Sequence, residues 1–532
     1  MTDAPVDRPV LPNLRGALQL AALFSGIKLF LQFALTLWTL HLGYRYFRDE
    51  FYYIACGRHL AWGYVDHGPI VALQARLGEW LFGDSVFAIR VLSAVAGAGT
   101  VFLTGILAWT MGGRRPAQAL AMFSVLACPQ FIGVDGFLSM NSFEPVFWMA
   151  CVLALLLLLH GGSERLWWPV FGVAAGVGLL NKPSMTFFLL AVGLGLLFTS
   201  QRRLFLSRWA ICGIFLLLLI PLPNLLWQVQ NHWPTLEFLR NGAREHKNIV
   251  LGPARFFLAQ FAIMQPVNSL IWISGVVSLL RAKSIRDARW LGIAYLLFFA
   301  LMFKLHAKDY YLAPIYPALF ASGGVAWERR FAASAAVARD RMVAFPVLAS
   351  LLLVTSLILL PMSSPVLRPA TWVRYTTALH LHGDEMETFA TGPLPQFYAD
   401  RFGWRQEVET VVKGFRELTP QEQRRVCIFA GNYGEAGAID FLGRRWGIHL
   451  PPAISGQNNY WLWGTHGCDP NLVIAVIPDS PAELLRKYKS VTILGGINRP
   501  YAMPFERRRT IYLLRGRRAS APFRWSDERY YF

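Results

Sequence analysis

Two adjacent carboxylates, Asp49 and Glu50, stand directly beyond the first apolar stretch of the chain. A carboxylate at a membrane boundary is pushed toward its neutral form by desolvation and needs a partner. Within hydrogen-bond reach of an acceptor hydroxyl or amine, Asp49 could act as a general base. The plain alternative is a solvated loop entrance. His67-Gly68-Pro69 follows shortly after. The glycine and proline set a tight local backbone, and His67 could reach a phosphate or a metal, or serve only as a hydrogen-bonded spacer. A further stretch carries Asp135, Asn141 and Glu144. Glu144 opens an apolar run, where an acid also suits a helix N-terminus.

Lys182, between Asn181 and Pro183, interrupts two apolar runs. Lys304, His306 and Lys308 form a later basic cluster, followed by Asp309 and two tyrosines. Fixed cations of this kind could hold a lipid phosphate while a carboxylate activates the attacking group. Glu50 and His306 are the candidates for a divalent metal, but no HExxH, cysteine cluster or facial-triad spacing supports one. No cofactor is therefore certain. ATP-driven and nicotinamide chemistry find no support, because neither a Walker A run nor a dinucleotide fingerprint occurs.

The elements that position these residues are membrane spans. Of the 532 residues, 55% are hydrophobic and 16% charged, against about 25% charged in a soluble domain. An ordinary soluble enzyme and a disordered chain are both excluded. The apolar runs predict about eleven spans, at roughly 17–43, 86–110, 117–134, 144–160, 166–180, 184–199, 209–227, 254–280, 289–303, 311–327 and 343–361. The loop 44–85 is too polar to span. Its two amphipathic stretches, 50–62 and the one ending at Phe82, suit interfacial helices.

The formal net charge is +19. The excess falls in alternate loops, around Arg114-Arg115, Arg202-Arg203, Arg281–Arg289 and Glu328–Arg341. That distribution places the N-terminus in the cytoplasm and residues 362–532 outside it. Nucleic acid is not expected as a partner, since no basic stripe is interleaved with stacking aromatics. The carboxylates, histidines and lysines singled out above all fall on the outer face.

Residues 362–532 change character, with no further span. Val426–Phe429, Leu472–Ile477 and Val491–Leu494 read as strands, and Gly434–Arg444 has helical spacing. Helix between strands suggests a small α/β domain. The expected organisation is thus a multispan domain over 1–361 and a soluble extracytoplasmic domain over 362–532. Cys427 and Cys468 could pair if the second is extracytoplasmic.

Arg48-Asp49-Glu50-Phe51-Tyr52-Tyr53 with His67-Gly68-Pro69, the Asp135–Glu144 stretch and the His306–Gly324 stretch resemble the family 39 glycosyltransferases. These include protein O-mannosyltransferases and the enzymes that add aminoarabinose to lipid A. The resemblance covers about residues 15–330, and Phe429–Ala438 and Pro451–Trp463 resemble the tail of bacterial members. It implies a GT-C fold in a bacterial inner membrane, with membrane lipids around it. A sugar would move from a polyprenyl-phosphate carrier to an envelope acceptor: a glycolipid, a polysaccharide or a protein. It further implies Asp49 as the catalytic carboxylate, with Asp135 or Glu144 as a second. His67, Lys182, Lys304, His306 and Lys308 would serve the carrier phosphate. The chain departs from the family at Asn141, often an aspartate, and at His67, near which the lipid A enzymes have a lysine. The competing reading is a transporter or lipid flippase without transfer chemistry, for which broken spans and midplane charges would speak.

Overall fold

The computed structural model describes residues 13–247, 249–332, 338–381, 388, 390 and 392–532. The chain divides into two compact units: 1–38, 82–225 and 250–366 form the first, and 39–81, 226–249 and 367–532 the second.

The first unit is helical. Every apolar run identified in the sequence is helical, but not every run is one helix. Pro266 separates Pro253–Ile263 from Ser269–Arg281, and a break at Ile220-Pro221 separates Arg208–Leu219 from Leu222–Gln230. Proline removes a helix donor and clashes with the preceding turn. At the Pro266 break Asn268 Nδ2 donates to Met264 O at 3.1 Å, satisfying a carbonyl as a bilayer requires, and the side-chain amides of the break also reach neighbouring helices. Asn268 Nδ2 donates to Ser124 O at 3.0 Å, and Gln265 Nε2 to Leu352 O at 2.7 Å. Among the described residues five helical stretches are long and apolar enough to cross a bilayer: Leu14–His41, Val86–Thr110, Met140–Leu159, Arg208–Gln230 taken across its break, and Phe345–Ser363. The chain is a polytopic α-helical membrane protein.

The second unit carries a five-stranded sheet. The strands are β1 (Val426–Ala430), β2 (Ala453–Ile454), β3 (Asp469–Ile477), β4 (Tyr488–Asn498) and β5 (Arg508–Arg517), in the order β2-β1-β3-β5-β4. β1 runs parallel to β2 and β3, while β5 is antiparallel to β3 and β4. The helix Tyr433–Arg445 makes the crossover between β1 and β2. Cys427 on β1 and Cys468 beside β3 form a disulfide.

The first-loop stretches become the helices Arg48–Arg58 and Pro69–Phe82. The second has the expected interfacial character: Leu73, Leu77, Trp80 and Leu81 are exposed. The first does not. Residues Glu50 to Gly57 are all buried, because the helix packs against Tyr433–Arg445 rather than lying open to lipid. Two glycines allow that approach. A Cβ at Gly437 would stand 2.9–3.0 Å from Phe51 backbone and Cβ atoms, and one at Gly434 would collide with the Arg48 side chain.

Candidate functional site

In the second unit the chemistry gathers at the head of the Arg48–Arg58 helix. Asp49 lies in its first turn, where a negative charge is favoured by the helix dipole. Its side chain is 29% exposed. Asp49 Oδ1 accepts a hydrogen bond from the Tyr433 hydroxyl at 2.9 Å and lies 3.8 Å from Arg48 Nε. Arg48 is shared: it also lies 3.5 Å from Asp400 and 3.4 Å from Glu506. Burial drives the Asp400 carboxyl up to about 8, against the opposing pull of Arg48. Asp49 is thus the accessible carboxylate of a cluster whose other two acids are buried.

Glu50, beside it, is wholly buried. Its Oε2 accepts from the Phe47 amide at 2.8 Å and so caps the helix. His67 is buried against three tyrosines, stacked on Tyr64 at 4.6 Å and edge-on to Tyr52 and Tyr53. Its Nδ1 meets Gly68 O at 2.8 Å, and burial lowers its pKa, which favours a neutral ring. Nε2 has no hydrogen-bond partner among the described residues.

In the first unit Glu144 and Lys182 come together. Lys182 Nζ donates to Glu144 Oε2 and to Asn141 Oδ1, each at 2.9 Å, and the Ser184 hydroxyl donates to Glu144 Oε1. The ammonium also stands 4.7 Å from the Tyr311 ring centre and 5.3 Å from that of Tyr310, within cation–π range. Lys182 follows the last residue of the Glu164–Asn181 helix, where a cation is favoured. Glu144 is not at a helix N-terminus: the helix begins at Met140, and Ser139 caps it. The late loop reaches Lys182 through its tyrosines. Lys304 and His306 are exposed and Lys308 is half-buried. Among the described residues no three His, Cys, Asp or Glu side chains cluster as metal ligands would.

Asp135 is placed apart from this group. It pairs with Lys28 at 2.7 Å, both side chains being 3% exposed or less, and Lys28 Nζ also donates to Phe131 O at 2.9 Å. The sequence reading passed over Lys28, although an ammonium inside a 28-residue apolar helix signals a buried partner. It also passed over Asp400, Glu506 and the role of Tyr433. Of these only Tyr433 had a signal, since it falls in the stretch Phe429–Ala438.

Comparison with known proteins bears on the fold and on the class of protein. A family described as "Dolichyl-phosphate-mannose-protein mannosyltransferase" matches residues 66–227. An undecaprenyl phosphate-alpha-4-amino-4-deoxy-L-arabinose arabinosyl transferase of Pseudomonas paraeruginosa is 29% identical over 170 residues, 31% of this chain and 30% of that protein. A namesake from Sodalis glossinidius is 23% identical over 261 residues, 46% of this chain and 45% of that protein. These matches therefore span less than half of the relatives' length. Among solved structures, ArnT from Cupriavidus metallidurans bound to undecaprenyl phosphate superposes with a TM-score of 0.59 at 17% identity, covering 94% of this chain and 99% of that one. The arabinofuranosyltransferase AftD from Mycobacteria gives 0.52 at 13% identity, over 92% of this chain and 40% of that one. The chain has the GT-C fold, a multispan helical membrane domain with a C-terminal α/β domain. The sequence similarity to the mannosyltransferase family model lies within residues 66–227, and that to the arabinosyl transferases covers less than half of the chain.

Proposed function

We propose that this protein transfers a sugar from a polyprenyl-phosphate carrier to an acceptor of the bacterial envelope, at the outer face of the inner membrane. The observation that carries the reading is the state of Asp49. It is a partly exposed carboxylate at a helix head, oriented by Tyr433 and Arg48, in a chain with the fold of a protein solved bound to undecaprenyl phosphate.

In this reading Asp49 accepts the proton of the acceptor nucleophile as that nucleophile attacks the anomeric carbon. The bond from that carbon to the phosphate oxygen breaks, and the carrier phosphate leaves. Lys182, Lys304 and Lys308 are assigned to that phosphate, with His306 beside them. Glu144 holds Lys182 in place. His67, whose Nδ1–H is given to Gly68 O, offers Nε2 as an acceptor for a substrate hydroxyl rather than a donor or a charge for the phosphate. Asp135 takes a structural role with Lys28, since its carboxylate is already committed to that buried pair. Glu50 is likewise committed, which leaves His306 as the remaining metal candidate.

The topology proposed is a cytoplasmic N-terminus, about eleven crossings and a periplasmic 362–532 domain. The disulfide between Cys427 and Cys468 supports it, because disulfides persist in oxidising compartments. The test is to feed membranes containing the protein with polyprenyl-phosphate sugars labelled in the sugar. The expected result is label in an envelope glycolipid, polysaccharide or protein. Label that crosses the membrane still attached to its carrier would support the transporter reading instead.

A further inference from the structure

A cavity of about 500 Å³ lies within the second unit, and Asp49 is not among the residues lining it. Its size falls within the range of small-molecule sites. The walls come from the Arg48–Arg58 helix, the Tyr433–Arg445 helix and the segment through His466. One wall is aromatic: Tyr460 and Trp463 stand 4.8 Å apart, and His59 stacks on Trp463 at 4.4 Å.

The charges are one-sided. Asp440 is the acid among the lining residues, and its carboxylate is already occupied. It accepts from the Ala453 amide at 2.8 Å and from the Tyr460 hydroxyl at 3.0 Å. Arg58 is taken by Glu79 at 2.7 Å. Arg444, His449 and His466 are exposed, and Arg444 has no ion-pair partner among the described residues. His59 Nδ1 donates to Ala55 O at 3.1 Å, so its Nε2 is an acceptor and its ring serves the aromatic wall. The cavity therefore offers one uncommitted guanidinium, the exposed imidazoles of His449 and His466 and flat aromatic surface, with no free carboxylate to oppose an anion.

A bare inorganic anion would leave the aromatic wall unused, and a neutral sugar would leave Arg444 unused. We propose that this cavity binds a sugar unit carrying a phosphate or carboxylate group, as a subsite for the acceptor. The sugar's C–H face would lie on the rings, and its acidic group would take hydrogen bonds from Arg444 and His449. The acceptor assignment rests on the transferase reading given above; the binding itself does not.

The test uses the full-length protein in nanodiscs and titration calorimetry with four probes: glucose 6-phosphate, glucuronic acid, glucose and inorganic phosphate. Saturable binding is expected for at least one acidic sugar, with glucose and inorganic phosphate each roughly ten-fold weaker. Whichever acidic sugar binds more tightly identifies the acidic group. Arg444→Ala and His449→Ala, both at exposed positions, should each weaken that binding by about ten-fold without shifting the melting temperature. Two results would overturn the proposal: no saturable binding of either acidic sugar, or binding that both substitutions leave unchanged. Equal binding of glucose would do the same. Acidic sugar binding in a protein that transfers no sugar from any donor would uphold the site and remove the transferase reading.

Discussion

Asp49 is held by two groups, a hydroxyl and a guanidinium. Tyr433 donates to it and Arg48 attracts it, while Arg48 is divided among three acids. Tyr433→Phe removes one hydrogen bond, worth about 1 kcal/mol. The turnover number should fall roughly five- to ten-fold with the carrier KM unchanged, measured by steady-state kinetics. A second residue-scale expectation concerns acid-base balance in the second unit. Burial pushes the Asp440 carboxyl up to about 7, against the hydrogen bonds from Ala453 and Tyr460. Asp400 and Glu407 are pushed up to about 8 by burial, against Arg48 and Arg499. All three bind a proton more tightly in the native state than in the unfolded chain, where the carboxyl value is about 4. Their contribution is complete below that value and is lost as pH rises through about 7 to 8. The melting temperature of this unit should therefore fall between pH 5 and pH 8, and Asp440→Asn should flatten part of that slope. At this scale the sequence was legible where a residue stood out by type. Asp49 and Lys182 were such residues, because ionisable groups beside apolar runs are conspicuous. Asp400 and Glu506 were not, because an acid in a polar domain looks like any other surface acid until its burial is known.

The helices Arg48–Arg58 and Tyr433–Arg445 touch through glycine, and that contact brings Tyr433 to Asp49. A branched side chain at Gly437 must displace the Phe51 backbone. Gly437→Val should destabilise the unit by about 1–3 kcal/mol and reduce transfer beyond the effect of Tyr433→Phe, read by thermal melting and by activity at a temperature where both proteins are folded. The elements themselves were largely readable. Apolar runs become helices, and Val426–Phe429 and Gly434–Arg444 lie within one residue of the observed strand and helix at each end. The Arg48–Arg58 helix was misjudged as interfacial because its aromatic residues suit a headgroup layer as well as a protein core. Only the contact with glycines nearly four hundred residues later decides between them, and periodicity carries no information about that contact. The strand β5 was missed for a related reason: arginines at both ends of Thr510–Leu514 mask a short apolar run.

At the scale of the whole molecule, hydrophobicity and loop charge determined the class, and the fold agrees with it. The orientation makes its own prediction. A membrane-impermeant thiol reagent applied to intact spheroplasts after mild reduction should label Cys468, the more accessible partner of the disulfide, whereas labelling only after permeabilisation would reverse the topology. The central claim is chemical, and its most direct measurement is release of polyprenyl phosphate by the purified protein, supplied with polyprenyl-phosphate sugars and envelope extract. The account predicts release that depends on the acceptor and falls at least about a hundred-fold in Asp49→Asn, with the variant still folded and still binding the carrier. Equal release by wild type and Asp49→Asn, or none from either across a broad donor panel, would contradict it.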